Sequence, residues 1–151
     1  MSLEQQLYSS LVADIGVSAL IGARFYGLQL PQGPDGLVFP AGVYQRVSTV
    51  PLYTHTRGRS PLEGGQATVG RARMALKFWS DSASGYAVCL QIYEAVMAAM
   101  ENFNAIALPT SPAIIAQAPN RLLSAIFDDE SNTQPPLSRL RMDFEIWYQD
   151  Q

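Results

Sequence analysis

Between Gln66 and Ser80 the chain alternates apolar and polar positions. Met74, Leu76 and Phe78 fall on one side, and Arg73, Ala75, Lys77 and Trp79 on the other. A period of two predicts a long β-strand with one face against a core. Residues 137–149 repeat the design: Leu140, Met142, Phe144, Ile146 and Tyr148 point one way, while Arg139, Arg141, Asp143, Glu145 and Trp147 point the other. Gly42–Val50 is rich in β-branched and aromatic residues and predicts another strand. Residues 121–128 predict a further one, and the turn residues DDESNTQPP join it to 137–149 as an antiparallel hairpin. Ala23–Tyr26, bracketed by Gly22 and Gly27, predicts a short strand.

Elsewhere the period lengthens to that of a helix. Leu3, Leu7 and Leu11, with Tyr8 and Val12, predict an amphipathic helix over 3–14, opened by a Ser2–Gln5 capping box and ended by Gly16. Val17–Leu20 predicts a second short turn of helix. Asp81 or Ser82 is placed to cap a long helix from Ala83 to Asn102. Tyr86, Leu90, Tyr93, Met97 and Met100 form its stripe, widened by Cys89, Ile92, Val96 and Phe103; Gln91, Glu94 and Glu101 mark its wet side. The Pro- and Gly-dense stretches 29–41 and 51–65 predict long loops, and 109–119 a connector. The order predicts an α+β fold in one domain spanning 1–151: a mostly antiparallel sheet of about four to five strands, with an N-terminal helix and one long helix packed on one face. An antiparallel sheet can keep its second face polar, and the alternation says this one does.

Composition bears on that second face. Charged residues make up 15% of the chain and hydrophobic residues 48%, where an ordinary soluble domain is about a quarter charged. Either the chain is unusually compact, or partners cover part of its surface. Charge is also divided. Residues 1–80 hold seven cations against four acids, a net of +3, whereas 81–151 hold three against nine, a net of −6. Oppositely charged halves can attract within one fold or between neighbouring copies. The overall acidity argues against a dedicated nucleic-acid binder.

The residues offer little chemistry. His55 is the single histidine and Cys89 the single cysteine, so no internal disulfide can form, and neither residue has the clustered ligands in sequence that a zinc site needs. Cys89 lies on the apolar side of the long helix, where a thiol behaves as a small hydrophobe. No nucleophile elbow, Walker loop or dinucleotide fingerprint is present. Asp128, Asp129 and Glu130 lack the spacing of a calcium loop and read as a solvated bend. The sequence does not read as an enzyme, and it calls for no cofactor or metal. The loop carrying Tyr53, His55, Arg57 and Arg59 reads either as a bland solvated loop or as a partner contact. No basic-then-apolar leader opens the sequence, and no run of about 18 apolar residues could span a bilayer. The expectation is a cytoplasmic protein, unless an assembly carries it elsewhere.

The succession of segments resembles one family. "LYSSLVAD", "VSALIGARFYG" and "GVYQRVS" are followed by an Arg-rich strand "RARMALKFWSDS" leading into a helix "YAVCLQIYEAVMAAM", and the chain closes on "LSRLRMDFEIWY". In this order they resemble the siphophage tail terminator, or tail completion (head–tail joining), family. The resemblance implies a structural virion protein of a phage or gene transfer agent, assembled in the host bacterial cytoplasm. It implies a hexameric ring at the head-proximal end of the tail tube that stops polymerisation and joins the tail to the head connector. It further implies that DNA passes through the ring without specific binding and that no membrane is involved. Arg71, Arg73, Lys77, Trp79, Arg139, Arg141, Asp143, Glu145 and Trp147 are then candidates for the subunit interface. Tyr53, His55, Arg57 and Arg59 are candidates for contact with the tail tube or neck, and Asp128, Asp129 and Glu130 for the channel lining. The interface charges can equally pair across adjacent strands within one subunit. The alternative functions are another neck component, such as a head-completion stopper or minor tail protein, and a small ligand-binding α+β domain.

Overall fold

A computed structural model describes residues 3–31, 38–51, 69–81, 85–103, 120–130 and 137–149. Two short helices, α1 (Leu3–Ala13) and α2 (Ile15–Ile21), lead into the brief strand β1 (Phe25–Gly27) and the long strands β2 (Ala41–Pro51) and β3 (Val69–Ser80). Helix α3 (Gly85–Asn102) follows, and β4 (Asn120–Glu130) and β5 (Leu137–Gln149) close the fold. The five strands form one sheet in the order β1-β2-β3-β5-β4. Every pairing is antiparallel except β1 with β2. The predicted α+β class holds, including the 137–149 hairpin partner. The Ser2 cap and the start of the β3 segment at Gln66 lie outside the described residues.

Two details of the helices differ from expectation. Gly16 does not end the first helix; Asp14 breaks it. In extended conformation, Asp14 turns its carboxylate back to accept from the Val17 N–H at 3.0 Å, so it is the N-cap of α2 and Gly16 lies within that helix. On α3 the inward stripe is Gly85, Cys89, Ile92, Val96, Ala99 and Met100, with Phe103 just past its end. Tyr86 is 60% exposed and Leu90 36%. Both are apolar but sit one position, about 100°, off the packed face, and Tyr86 instead meets the Phe127 ring edge-on at 5.6 Å. Hydrophobic type alone did not locate the centre of the stripe; the 3.6 period through Cys89 does.

All the helices pack on one face of the sheet. Met74, Leu76 and Phe78 from β3, and Leu140, Met142, Phe144, Ile146 and Tyr148 from β5, are buried there with Leu3, Leu7, Leu11, Ile92 and Val96. Phe25 lies parallel to Phe78 at 5.8 Å and tilted against Tyr44 at 4.9 Å. Gly42 has no room for a side chain, since a β-carbon would come within 2.6 Å of the Phe78 ring and 2.9 Å of the Phe25 ring. Asn120 closes the far end of α3, donating to the Met100 and Phe103 carbonyls at 2.9 and 2.6 Å. Glu4 of α1 pairs with Arg46 of β2 at 2.7 Å, and that guanidinium lies 5.1 Å above the Tyr148 ring.

Candidate functional site: the open face of the sheet

Strand alternation carries every charged candidate of β3 and β5 to the face opposite the helices. The antiparallel register then decides which residues meet. Arg71 faces Trp147, Arg73 faces Glu145, Ala75 faces Asp143, Lys77 faces Arg141, and Trp79 faces Arg139. Each Trp ends its own strand beside an Arg near the start of the other. On the outer side β4 contributes Arg121 beside Glu145, Ser124 beside Asp143, Ile126 beside Arg141 and Asp128 beside Arg139.

Asp143 is the centre of this face. Its side chain is 3% exposed, and it holds two cations: Arg73 Nη2 donates to Oδ2 at 2.8 Å and Arg141 Nε to Oδ1 at 3.2 Å. Ser124 Oγ adds a third donor at 3.5 Å. Burial pushes the Asp143 carboxyl upward, but the hydrogen bonds and charges of the two arginines outweigh it and hold the carboxyl below its usual range. Toward one end, Arg139 grips Asp128 through Nε at 2.9 Å and Nη2 at 2.6 Å. The hydrogen bond from Arg139 lowers the Asp128 carboxyl as well, its charge adding to the effect against a small burial penalty. Toward the other end Arg121 stands 3.8 Å from Glu145.

The structure therefore unites five of the nine interface candidates in intrachain pairs or clusters: Arg73, Arg139, Arg141, Asp143 and Glu145. Arg71 and Lys77 form no ion pair among the described residues. Asp128 and Asp129 are not a solvated bend, because β4 continues through Glu130 and Asp129 accepts from Ser138 at 3.3 Å. The loop residues Tyr53, His55, Arg57 and Arg59 lie outside the described residues. Among the described residues no three His, Cys, Asp or Glu cluster to hold a metal. Cys89 is buried, and burial, with the Asp129 charge, pushes its thiol up to about 11, so it is a poor nucleophile at neutral pH. Among the described residues no helix is long and apolar enough to cross a membrane.

Sequence reasoning missed the bulges. Register slips by one residue between Arg46 and Ser48 in β2 and between Leu122 and Ser124 in β4. The extra residues, Val47 and Leu123, are 45% and 38% exposed. A break in strict alternation (valine between Arg46 and Ser48, paired leucines at 122–123) was the available signal.

Comparison with known proteins gives this face its context. No curated protein matches the chain. A chain from a structure described as the virion of a native gene transfer agent particle shares the fold, with a TM-score of 0.58 at 17% identity over 99% of this chain and 96% of that one. The family model for tail completion protein gp17 matches residues 5–149, nearly the whole sequence. The chain belongs to the tail completion protein gp17 family, whose members are structural proteins of the phage tail.

Proposed function

We propose that the protein is a non-enzymatic part of the virion neck: a homohexameric ring that caps the head-proximal end of the tail tube, halts its polymerisation and joins it to the head connector. The observation that carries this is the family match over residues 5–149. The fold adds a physical reason. One sheet face is filled by helices and the other carries a charged, tryptophan-bearing surface on strands, where Arg71, Lys77 and Trp147 are half-buried. Trp and Arg are the residue types that anchor interfaces. Ring closure needs two different patches meeting around a rotation axis, and the charge-divided halves supply them. The 51–65 loop, with Tyr53, His55, Arg57 and Arg59, is the segment assigned to the tube, and the acids at the end of β4 are assigned to the channel through which DNA passes without specific binding.

Deleting the gene in a particle-producing host tests the role. Overlong or headless tails support it. Normal tails carrying unfilled heads instead favour a head-completion stopper, and particles of normal form and titre overturn both.

A further inference from the structure

The sheet ends in two free edges, and they match each other. Among the described residues, β4 has no strand on its outer side. At the opposite margin β1 covers β2 only as far as Tyr44, and among the described residues no strand pairs with the outer side of Gln45–Pro51. Long open edges of this kind template pairing with other chains; bulges are one way of blunting them, and here each bulge instead leaves an aliphatic residue exposed on the edge. Each edge strand carries a bulge with an exposed aliphatic residue, Val47 or Leu123, and a second aliphatic three residues on, Val50 (45% exposed) or Ile126 (51%). Val50 faces Arg71 and Ile126 faces Arg141, so both second residues stand on the open face. The bulges flank one row: Arg46, Met74, Phe144 and Leu122 align across the sheet, and Val47 and Leu123 follow its two ends on opposite sides, because β2 and β4 run in opposite directions.

Sense and charge agree with a self-contact. β2, β3, β5 and β4 are successively antiparallel, so β4 runs opposite to β2. A rotation about an axis along the strands preserves that relation between neighbouring copies. At the β1 end, Arg24 donates to the Pro40 and Leu20 carbonyls at 2.9 and 3.5 Å and has no carboxylate partner among the described residues. Phe25 pairs with Gly42, which sets Arg24 one residue back, level with the row of Ala41, Trp79, Arg139 and Asp128 and next to the exposed Asp129. A foreign strand would satisfy one edge and leave the other bare, whereas a second copy satisfies both.

We infer that copies of this chain continue one another's sheet, the free Gln45–Pro51 edge of one pairing antiparallel with the Asn120–Ser124 half of β4 in the next. The contact covers Val47 and Leu123, the bulged residues of the two paired segments, and brings Arg24 toward Asp129. The β1 step stops the pairing below Tyr44, and the bulge at Leu123 bends β4 past it. This rests on the ring reading above and specifies which margins close the ring.

Cysteines at Val47→Cys and Leu123→Cys in one chain test it with a short bismaleimide, on free protein and on particles that incorporate it. Cys89, buried with a raised pKa, stays silent in this assay. The expected result is a covalent ladder from the double variant and none from either single variant. Cross-linked dimers from a single variant indicate a two-fold contact and overturn the inference. A multimeric mass without a ladder overturns edge pairing but leaves the ring intact. A monomeric mass in solution and one copy per particle overturn both. On the unmodified protein, hydrogen exchange at 45–50 and 120–124 slows on assembly if the edges pair; unchanged exchange in an assembled sample overturns the pairing.

Discussion

The two faces of the sheet share strands and alternation, yet different forces hold them. The helix-covered face is held by area: rings and aliphatic chains from β3 and β5 interlock with α1, α2 and α3 and are almost wholly dry. The open face is held by a few directed contacts around Asp143, with arginines that keep one side in water. The first face cannot tolerate a lost atom without leaving a void. The second rests on a few partly solvated contacts, so removing most single charges there should cost little.

That contrast can be broken from the strong side first. Phe78→Ala removes a wholly buried ring between Phe25 and Gly42 and should cost about 3–5 kcal/mol in chemical denaturation. Gly42→Ala, with no room for a methyl group, should cost about 1–3 kcal/mol on the same assay by overpacking. On the open face Asp143→Ala leaves Arg73, Arg141 and Ser124 without their common acceptor and should cost about 1–3 kcal/mol. Arg121→Ala, an exposed side chain whose partner Glu145 lies 3.8 Å away, should stay within about 1 kcal/mol of the parent. Arg121→Ala matching Phe78→Ala in cost would contradict the comparison.

The pH dependence sharpens it further. Asp143 and Asp128 titrate lower in the fold than in the unfolded chain, where an aspartate sits near about 3.9. Their contribution is therefore complete above that value and fades as pH falls through the lower folded values. Denaturation midpoints should be flat around neutrality and decline in acid, and Asp143→Asn should flatten that decline. An unaltered acid decline in Asp143→Asn would place its origin elsewhere.

Much of this was readable in the sequence because alternation is a local property. Met74, Leu76, Phe78 and the five apolar residues of β5 declared their face without help from the rest of the chain. Which charge meets which was not readable, since it depends on the β3–β5 register and on the bulge that sets Ser124 beside Asp143. The same limit concealed Asp14 as a cap, because its carboxylate competes with a glycine signal two residues on. Family membership was legible through segment order, where no single motif would have sufficed.

The most direct measurement is an image of the neck of an intact particle at side-chain resolution. The account predicts a closed ring of this chain between tail tube and connector, with Trp79, Trp147 or the two sheet margins buried against neighbours. A lone copy, with the Arg73–Asp143–Arg141 face and both sheet edges in solvent, would contradict it.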